Sequence, residues 1–127
     1  MIKIFTLNLT IDRVYYISGF TAGKVTRPEK MYRWPGGKGV NVARVLHTLK
    51  TPAELVGFIG GDTGEFFKLG IKTEVLKFVP VPIRTPVREC TLIIDPQNQD
   101  QTVINELGPL ITRAELARFN RTYHRAC

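Results

Sequence analysis

The order of apolar and polar positions in the first sixty residues predicts an α/β unit. Residues 1–9 form a dense apolar run that is typical of a buried strand. Residues 12–20 alternate, and residues 24–34 follow as a second predicted strand with Pro28 at an edge or bulge, which together indicate a small antiparallel ribbon. Residues 53–61 are again strand-like and end in two glycines.

A helix is predicted between the ribbon and the strand at 53–61, over residues 40–49. Its apolar residues recur at i, i+3, i+4 and i+7, which places them on one face of a helix. They are Val42, Val45, Leu46 and Leu49. The first half of the chain is therefore expected to order as strand, ribbon, helix, strand.

The second half of the chain continues the mixed pattern. Residues 62–70 predict one or two helical turns, with Asp62 or Thr63 as the cap. Residues 71–81 are strand-like.

A hairpin and a last helix complete the prediction. Residues 84–95 and 102–107 read as two strands joined by the polar turn PQNQDQ. Thr112 and Glu115 then have the spacing of a capping box. The helix that follows has an apolar stripe formed by Leu116, Phe119 and Tyr123.

Composition narrows the class of protein without naming a partner. The chain has 127 residues, 43% hydrophobic and 23% charged, which suits one globular domain. Its net charge of +7 is compatible with phosphate-bearing ligands, but the basic residues are scattered. No basic helix or aromatic platform is present, so a nucleic-acid partner is not expected.

The remaining bulk features point to a cytoplasmic protein without a metal centre. Cys90 and Cys127 fit no metal or redox spacing, and His47 and His124 add no ligand cluster. No apolar run approaches the roughly 20 residues of a membrane span, and we find no signal peptide. We therefore expect neither a bound structural metal nor a membrane partner.

Candidate chemistry concentrates in the stretch PGGKGVNVARVLHTL. Gly36, Gly37 and Gly39 surround Lys38 directly before the predicted helix. Glycines let a ligand approach the backbone, while the helix N-terminus and the lysine both favour an anionic or hydroxyl-rich guest. The spacing is neither that of a Walker A loop nor that of the Rossmann fingerprint, and a tight turn before a helix is the alternative. Asn41 stands in the first turn, where it could bind the same ligand or serve only as a polar helix-start residue.

Three segments together resemble the phosphofructokinase B (ribokinase-like) family of sugar kinases, in its subgroup of 1-phosphofructokinases and tagatose-6-phosphate kinases. They are TLNLTIDRVYYISGF, PGGKGVNVARVLHTL and GFIGGDTGEF, and the later NELGP resembles an Asn-Glu-x-Gly-Pro stretch of that subgroup. The resemblance covers nearly the whole chain but only about the first two fifths of a family member. It implies the N-terminal portion of a ribokinase-like fold, a single incomplete domain over 1–127, with lid strands inserted at about 12–34 and 84–106.

The resemblance also implies a sugar site. Asp12 would bind sugar hydroxyls, and a group in the glycine loop would line the site. Lys24 would reach a phosphate from the lid, and Arg84 would hold the substrate's phosphate through its guanidinium fork. The glycine-loop group is Gly36, Gly37, Lys38 and Asn41. Structural alternatives are a turn-capping role for Asp12 and a solvated surface position for Lys24 and Arg84.

Several positions depart from the family pattern. Leu9 and Thr10 stand where proline and a small residue are usual, and Pro86 stands where asparagine is common, near Arg84. The segment GEFFKLGIKT is shorter than the helix expected there. The Gly-Ala-Gly-Asp-like motif, which carries the catalytic base of such kinases, does not occur, and Asp62 is a poor substitute because it lies in a different family stretch.

The expected function is ATP-dependent phosphorylation of a sugar phosphate such as fructose 1-phosphate, with Mg²⁺, by the complete enzyme. This chain is expected to be inactive alone, since phosphoryl transfer needs positioning and charge neutralisation around the phosphates. The alternative is a non-catalytic fragment that binds a sugar phosphate or pairs through its lid. The resemblance also implies a homodimer through the lid strands.

Overall fold

The computed structural model describes residues 1–127 and contains seven strands and three helices. The strands are β1 Ile2–Thr6, β2 Thr10–Tyr16, β3 Lys30–Gly36, β4 Ala53–Ile59, β5 Lys77–Pro82, β6 Arg88–Asp95 and β7 Asp100–Asn105. The helices are α1 Lys38–Thr48, α2 Gly61–Thr73 and α3 Arg113–Ala126. The predicted α/β class is confirmed.

The central sheet is parallel and has the order β1-β4-β5. Alternate residues of β4 point to opposite faces, as strand geometry requires, so Leu55 and Val56 are both fully buried but belong to different cores. The core on one face includes Val40 of α1 and Phe67 of α2. The core on the other face is covered by α3 through Phe119. Helices therefore cover both faces of the sheet.

The second sheet is mixed and has the order β3-β2-β6-β7. β2 pairs antiparallel with β3 and parallel with β6, and β6 forms the predicted hairpin with β7. The ranges 12–34 and 84–106 contain most of these four strands, whereas Pro28 lies before β3 rather than within it. That this sheet acts as a lid stays a prediction.

The prediction for residues 62–81 is wrong in two respects. α2 runs for 13 residues to Thr73, so its last turn occupies the start of the predicted strand. Its N-cap is Gly60 without a side-chain cap, and the Thr63 hydroxyl instead donates to the Val87 carbonyl at 2.7 Å. The longer helix forms because Phe67 and Ile71, four residues apart, are both buried in the core.

The predicted apolar stripe of α1 is not the face that packs on the sheet. α1 begins at Lys38, two residues earlier than predicted, and it buries Val40 and Ala43. Val42, Val45 and Leu49 are exposed instead. The packing face is therefore formed by Val40 and Ala43, and of the four predicted residues only Leu46 is partly buried.

The C-terminal helix forms with its predicted cap, but its predicted apolar stripe is only partly buried: Phe119 packs against the core, whereas Leu116 and Tyr123 are exposed. The Thr112 hydroxyl accepts from the Glu115 amide, and the Glu115 carboxylate accepts from the Thr112 amide, which confirms the capping box. None of the three helices has the length and apolar character of a membrane span.

Candidate functional site

A cleft of about 610 Å³ opens where the two sheets meet, at the carboxyl end of β1 and the first turn of α1. Carboxyl ends of parallel strands are the usual ligand edge of α/β sheets. The cleft is lined by Phe5, Thr6, Leu7, Asn8, Thr10, Asp12, Gly37, Lys38, Gly39, Asn41, Arg88, Cys90 and Asn105.

The glycine loop shapes the wall of the cleft that α1 provides. Gly37 is the N-cap of α1 with a φ of 114°, a left-handed conformation that favours glycine. No side chain caps the helix and its first turn holds no acidic residue. A side chain at Gly39 would place its Cβ only 1.6 Å from Thr6 Oγ1, so glycine lets the helix start close to β1. The first-turn N–H groups are thus available to a ligand.

Asp12 supplies the carboxylate of the cleft, and Gly36 makes room for it. Asp12 lies in β2 between Trp34 of β3 and Cys90 of β6. A Cβ at Gly36 would lie 2.1 Å from Asp12 Oδ2, so a larger residue would displace the carboxylate. Burial raises the pKa of Asp12, and the Thr10 side chain and the positive charges of Arg44 and Arg88 partly offset this effect. The side chain is a half-buried hydrogen-bond acceptor.

Arg88 is a cleft residue that the sequence prediction missed. It begins β6 and pairs with Thr10 of β2, which brings it to the side of the cleft that carries Asp12. Its Nη1 donates to the Glu106 carbonyl at 3.2 Å, while its buried Nε has no partner. Only the register between β2 and β6, which joins distant parts of the chain, could have pointed to this residue.

Three residues considered from the sequence lie outside the cleft. Lys24 is exposed in the connection between β2 and β3. Arg84 is exposed, and its backbone amide donates to Glu115 Oε1 at 2.7 Å. Asp62 is exposed in the first turn of α2. The structure therefore brings together Asp12, Lys38 and Asn41, but not these three.

The charges of the cleft define what it can bind. Lys38, Arg88 and the N-terminus of α1 are positive, and Asp12 is the one carboxylate among the lining residues. No group of three or more His, Cys, Asp or Glu is placed to hold a metal ion. Hydroxyl groups can donate to Asp12, while an anionic group can meet the cations and helix N–H groups. The cleft therefore suits a ligand that carries both.

Comparison with known proteins agrees with the resemblance found in the sequence. Residues 1–124 match the family model described as pfkB family carbohydrate kinase. The 1-phosphofructokinase of Bacillus subtilis is 32% identical over 119 residues, which are 94% of this chain but 38% of that protein.

Solved structures show the same partial coverage. A possible 1-phosphofructokinase from Thermotoga maritima superposes with a TM-score of 0.86 at 31% identity, over 96% of this chain and 40% of that one. The phosphofructokinase-2 of Escherichia coli, solved with fructose-6-phosphate, gives a TM-score of 0.89 over 95% of this chain and 40% of that one. At 21% identity, the second likeness concerns the fold alone. The fold matches the N-terminal part of these kinases, and the chain belongs to the pfkB family of carbohydrate kinases.

Proposed function

We propose that this chain forms the acceptor side of a sugar-kinase active site and binds a sugar phosphate such as fructose 1-phosphate. One observation carries the proposal. A half-buried carboxylate, Asp12, shares a cleft with Lys38 and the uncapped N-terminus of α1. The hydroxyls of a sugar phosphate can donate to Asp12, and its phosphate can bind Lys38 and the N–H groups at the start of α1. The chain spans about two fifths of the length of its relatives. We therefore also propose, for the complete enzyme, that the bound sugar phosphate is phosphorylated.

Each cleft residue has a distinct role in the proposed complex. Asp12 accepts hydrogen bonds from sugar hydroxyls, and Asn41 binds the sugar through its amide. Gly37 allows the sugar to lie against the backbone, whereas Gly36 does not line the cleft and serves by leaving room for the Asp12 carboxylate. Arg88, which lines the cleft, is proposed to hold the ligand's phosphate through its guanidinium, a role that the resemblance gave to Arg84.

Family resemblance implies ATP as the phosphoryl donor and Mg²⁺ as its ion. The described cleft offers one carboxylate, and Mg²⁺ is usually held by one or two carboxylates together with substrate phosphates. This donor set is too small to make a metal site by itself. We assign no residue of this chain to Mg²⁺ or to the nucleotide.

The chain alone is expected to lack kinase activity. Asp12 is the one carboxylate among the lining residues and is proposed to bind sugar hydroxyls, while Asp62 lies outside the cleft, so we assign no general base to this chain. Incubation with ATP, Mg²⁺ and fructose 1-phosphate should yield no ADP above the protein-free control. ADP formation that depends on the sugar phosphate and disappears in Lys38→Ala would refute this expectation.

Binding is tested by titration calorimetry with fructose 1-phosphate at millimolar concentration. Wild-type protein should release or absorb heat, and Asp12→Ala and Lys38→Ala should each weaken binding about tenfold or more, as expected for hydrogen bonds to charged groups. Arg121→Ala, which changes an exposed arginine of α3, is the matched control. No heat with the wild-type chain would overturn the proposal. Arg84→Ala against Arg88→Ala decides which arginine meets the phosphate.

A second candidate function, pairing of two copies through the second sheet, has its own support. Tyr32, Val14, Leu92 and Val103 are register neighbours across the four strands, on the same face as Asp12. Tyr32 is 50% exposed and Val103 is 54% exposed, whereas Val14 between them is buried, so the two outer residues of the row are open to solvent. Sedimentation should show a dimer that Tyr32→Ser weakens. A monomer at all concentrations would exclude this function.

A further inference from the structure

Arg44 of α1 uses four of its five N–H groups in contacts around the cleft. Its Nε and Nη2 donate to the two carboxylate oxygens of Glu74 at 2.6 and 2.7 Å. Nη2 also donates to the Pro35 carbonyl at 2.7 Å, and Nη1 donates to Asn41 Oδ1 at 3.0 Å. Arg44 does not line the cleft itself, whereas Asn41 does. A contact with the ligand therefore has to come through a neighbour.

The contact with Arg44 decides which end of the Asn41 amide faces the cleft. A guanidinium has only donors, so the group that faces Arg44 must be the carbonyl oxygen Oδ1. The Nδ2 group is then left for other partners, and it donates to no other group of the chain. Because Asn41 lines the cleft, its two Nδ2 donors are available to a ligand there.

Glu74, which does not line the cleft, holds the guanidinium through both of its carboxylate oxygens. It is the C-cap of α2, where a negative charge faces the negative end of the helix dipole and is unfavourable. The bidentate pair with Arg44 offsets this cost, and both side chains are about 30% exposed, at 29% and 31%. Since both Glu74 oxygens are engaged, the plane of the guanidinium is fixed.

The hydrogen bond to the Pro35 carbonyl also holds the Arg44 guanidinium in place. Pro35 is buried near the end of β3, directly before the glycine loop. A Cβ at Gly70 of α2 would lie 2.4 Å from Pro35 Cγ, so the helix packs closely on the proline. Arg44 therefore joins α1, α2 and the end of β3 at one group.

We propose that Arg44 is a positioning residue that fixes the Asn41 amide with its Nδ2 donors toward the ligand, and that Glu74 holds Arg44 in place. The inference rests on the proposed function for its ligand, because the donors of Asn41 are directed at sugar or phosphate oxygens. It adds a preference to the cleft: this position favours ligand groups that accept hydrogen bonds.

A double-mutant cycle on the affinity for fructose 1-phosphate separates positioning from general stability. Arg44→Lys keeps the charge but loses the fork, and it should weaken binding about tenfold in the wild-type background. In the Asn41→Ala background, the same change should weaken binding less than twofold. Equal losses in both backgrounds would overturn the proposal. Arg121→Lys is the matched control, and melting temperatures show whether each variant is folded.

Nuclear magnetic resonance of the ligand-free chain tests the same inference when no sugar phosphate binds. The Nδ2 amide pair of Asn41 is assigned by its disappearance in Asn41→Ala. Arg44→Lys and Glu74→Gln should both move this pair, and Arg121→Lys should leave it unchanged. An unmoved pair in Arg44→Lys would refute the positioning role. Absence of calorimetric binding with a moved pair would refute the proposed function alone.

Discussion

Substituting alanine for Gly36 is the most direct test of how the cleft is built. Gly36 ends β3, and its α-carbon faces the Asp12 carboxylate across the strand pair. The added methyl carbon would lie 2.1 Å from Oδ2 and 2.6 Å from Oδ1 of Asp12. The carboxylate must therefore turn away from its position in the cleft.

The size of the effect follows from this overlap. Ordinary contact begins near 3.4 Å, so the nearest oxygen must move by 3.4 − 2.1 = 1.3 Å. Overpacking of this kind costs about 1–3 kcal/mol, and we expect about 2 kcal/mol because the obstacle is a side chain that can rotate. In a domain of this size the melting temperature should fall by about 8 °C. Affinity for the sugar phosphate should fall at least about tenfold as Asp12 moves.

The assay is urea unfolding combined with calorimetry, and the control is the same substitution without the carboxylate. In Asp12→Ala protein, the methyl group at position 36 has free space, so Gly36→Ala should then change the free energy of unfolding by less than about 0.5 kcal/mol. An equal loss in both backgrounds would show that backbone strain, not the carboxylate, makes glycine necessary.

Three further predictions concern stability. Phe119→Ala removes a ring whose centroid lies 6.0 Å from that of Phe5 and 5.4 Å from that of Phe58, and it should cost about 3 kcal/mol in urea unfolding. A loss below about 1 kcal/mol would mean that α3 does not depend on this contact. Thr112→Ala removes the capping hydroxyl of α3 and should cost about 1 kcal/mol, seen as a lower midpoint with an unchanged slope. Burial alone would raise the pKa of Asp95, but hydrogen bonds, including those from the Gly19 and Phe20 amides, lower it to about 2. Its stabilisation is therefore complete above about pH 4 and is lost as the pH falls through 2, and Asp95→Asn should flatten the unfolding profile in this window.

Local sequence patterns are sufficient to predict most helices and strands. They are insufficient at the end of α2, where an apolar segment suits both a helix and a strand. The capping box at Thr112 is predictable because the hydrogen bonds between Thr112 and Glu115 lie within four residues. The prediction for the end of α2 is wrong because Ile71 and the residues after it suit a strand as well as a helix. Contact with the core decides between the two, and the core is formed by distant segments.

The candidate site shows the same division. Lys38 and Asn41 are neighbours in sequence, so their common position at a helix start could be predicted. Arg88 joins them only through the parallel pairing of β6 with β2, a contact that no local spacing reveals. Arg84 matched the expected residue type and lies four positions earlier, outside the cleft.

The pairing of β2 with β6 also has a consequence for the order of folding. It joins Thr10 to Arg88, across most of the chain, whereas β1, α1 and β4 are formed by residues 2–59. Closing so long a loop is entropically costly and slow, so we expect the helix and central strands to assemble first. The carboxylate of Asp12 and the guanidinium of Arg88 meet only when this last pairing forms. A ligand that contacts both groups would then stabilise the state in which β2 and β6 are paired. Its binding free energy would add to the stability of the whole folded chain.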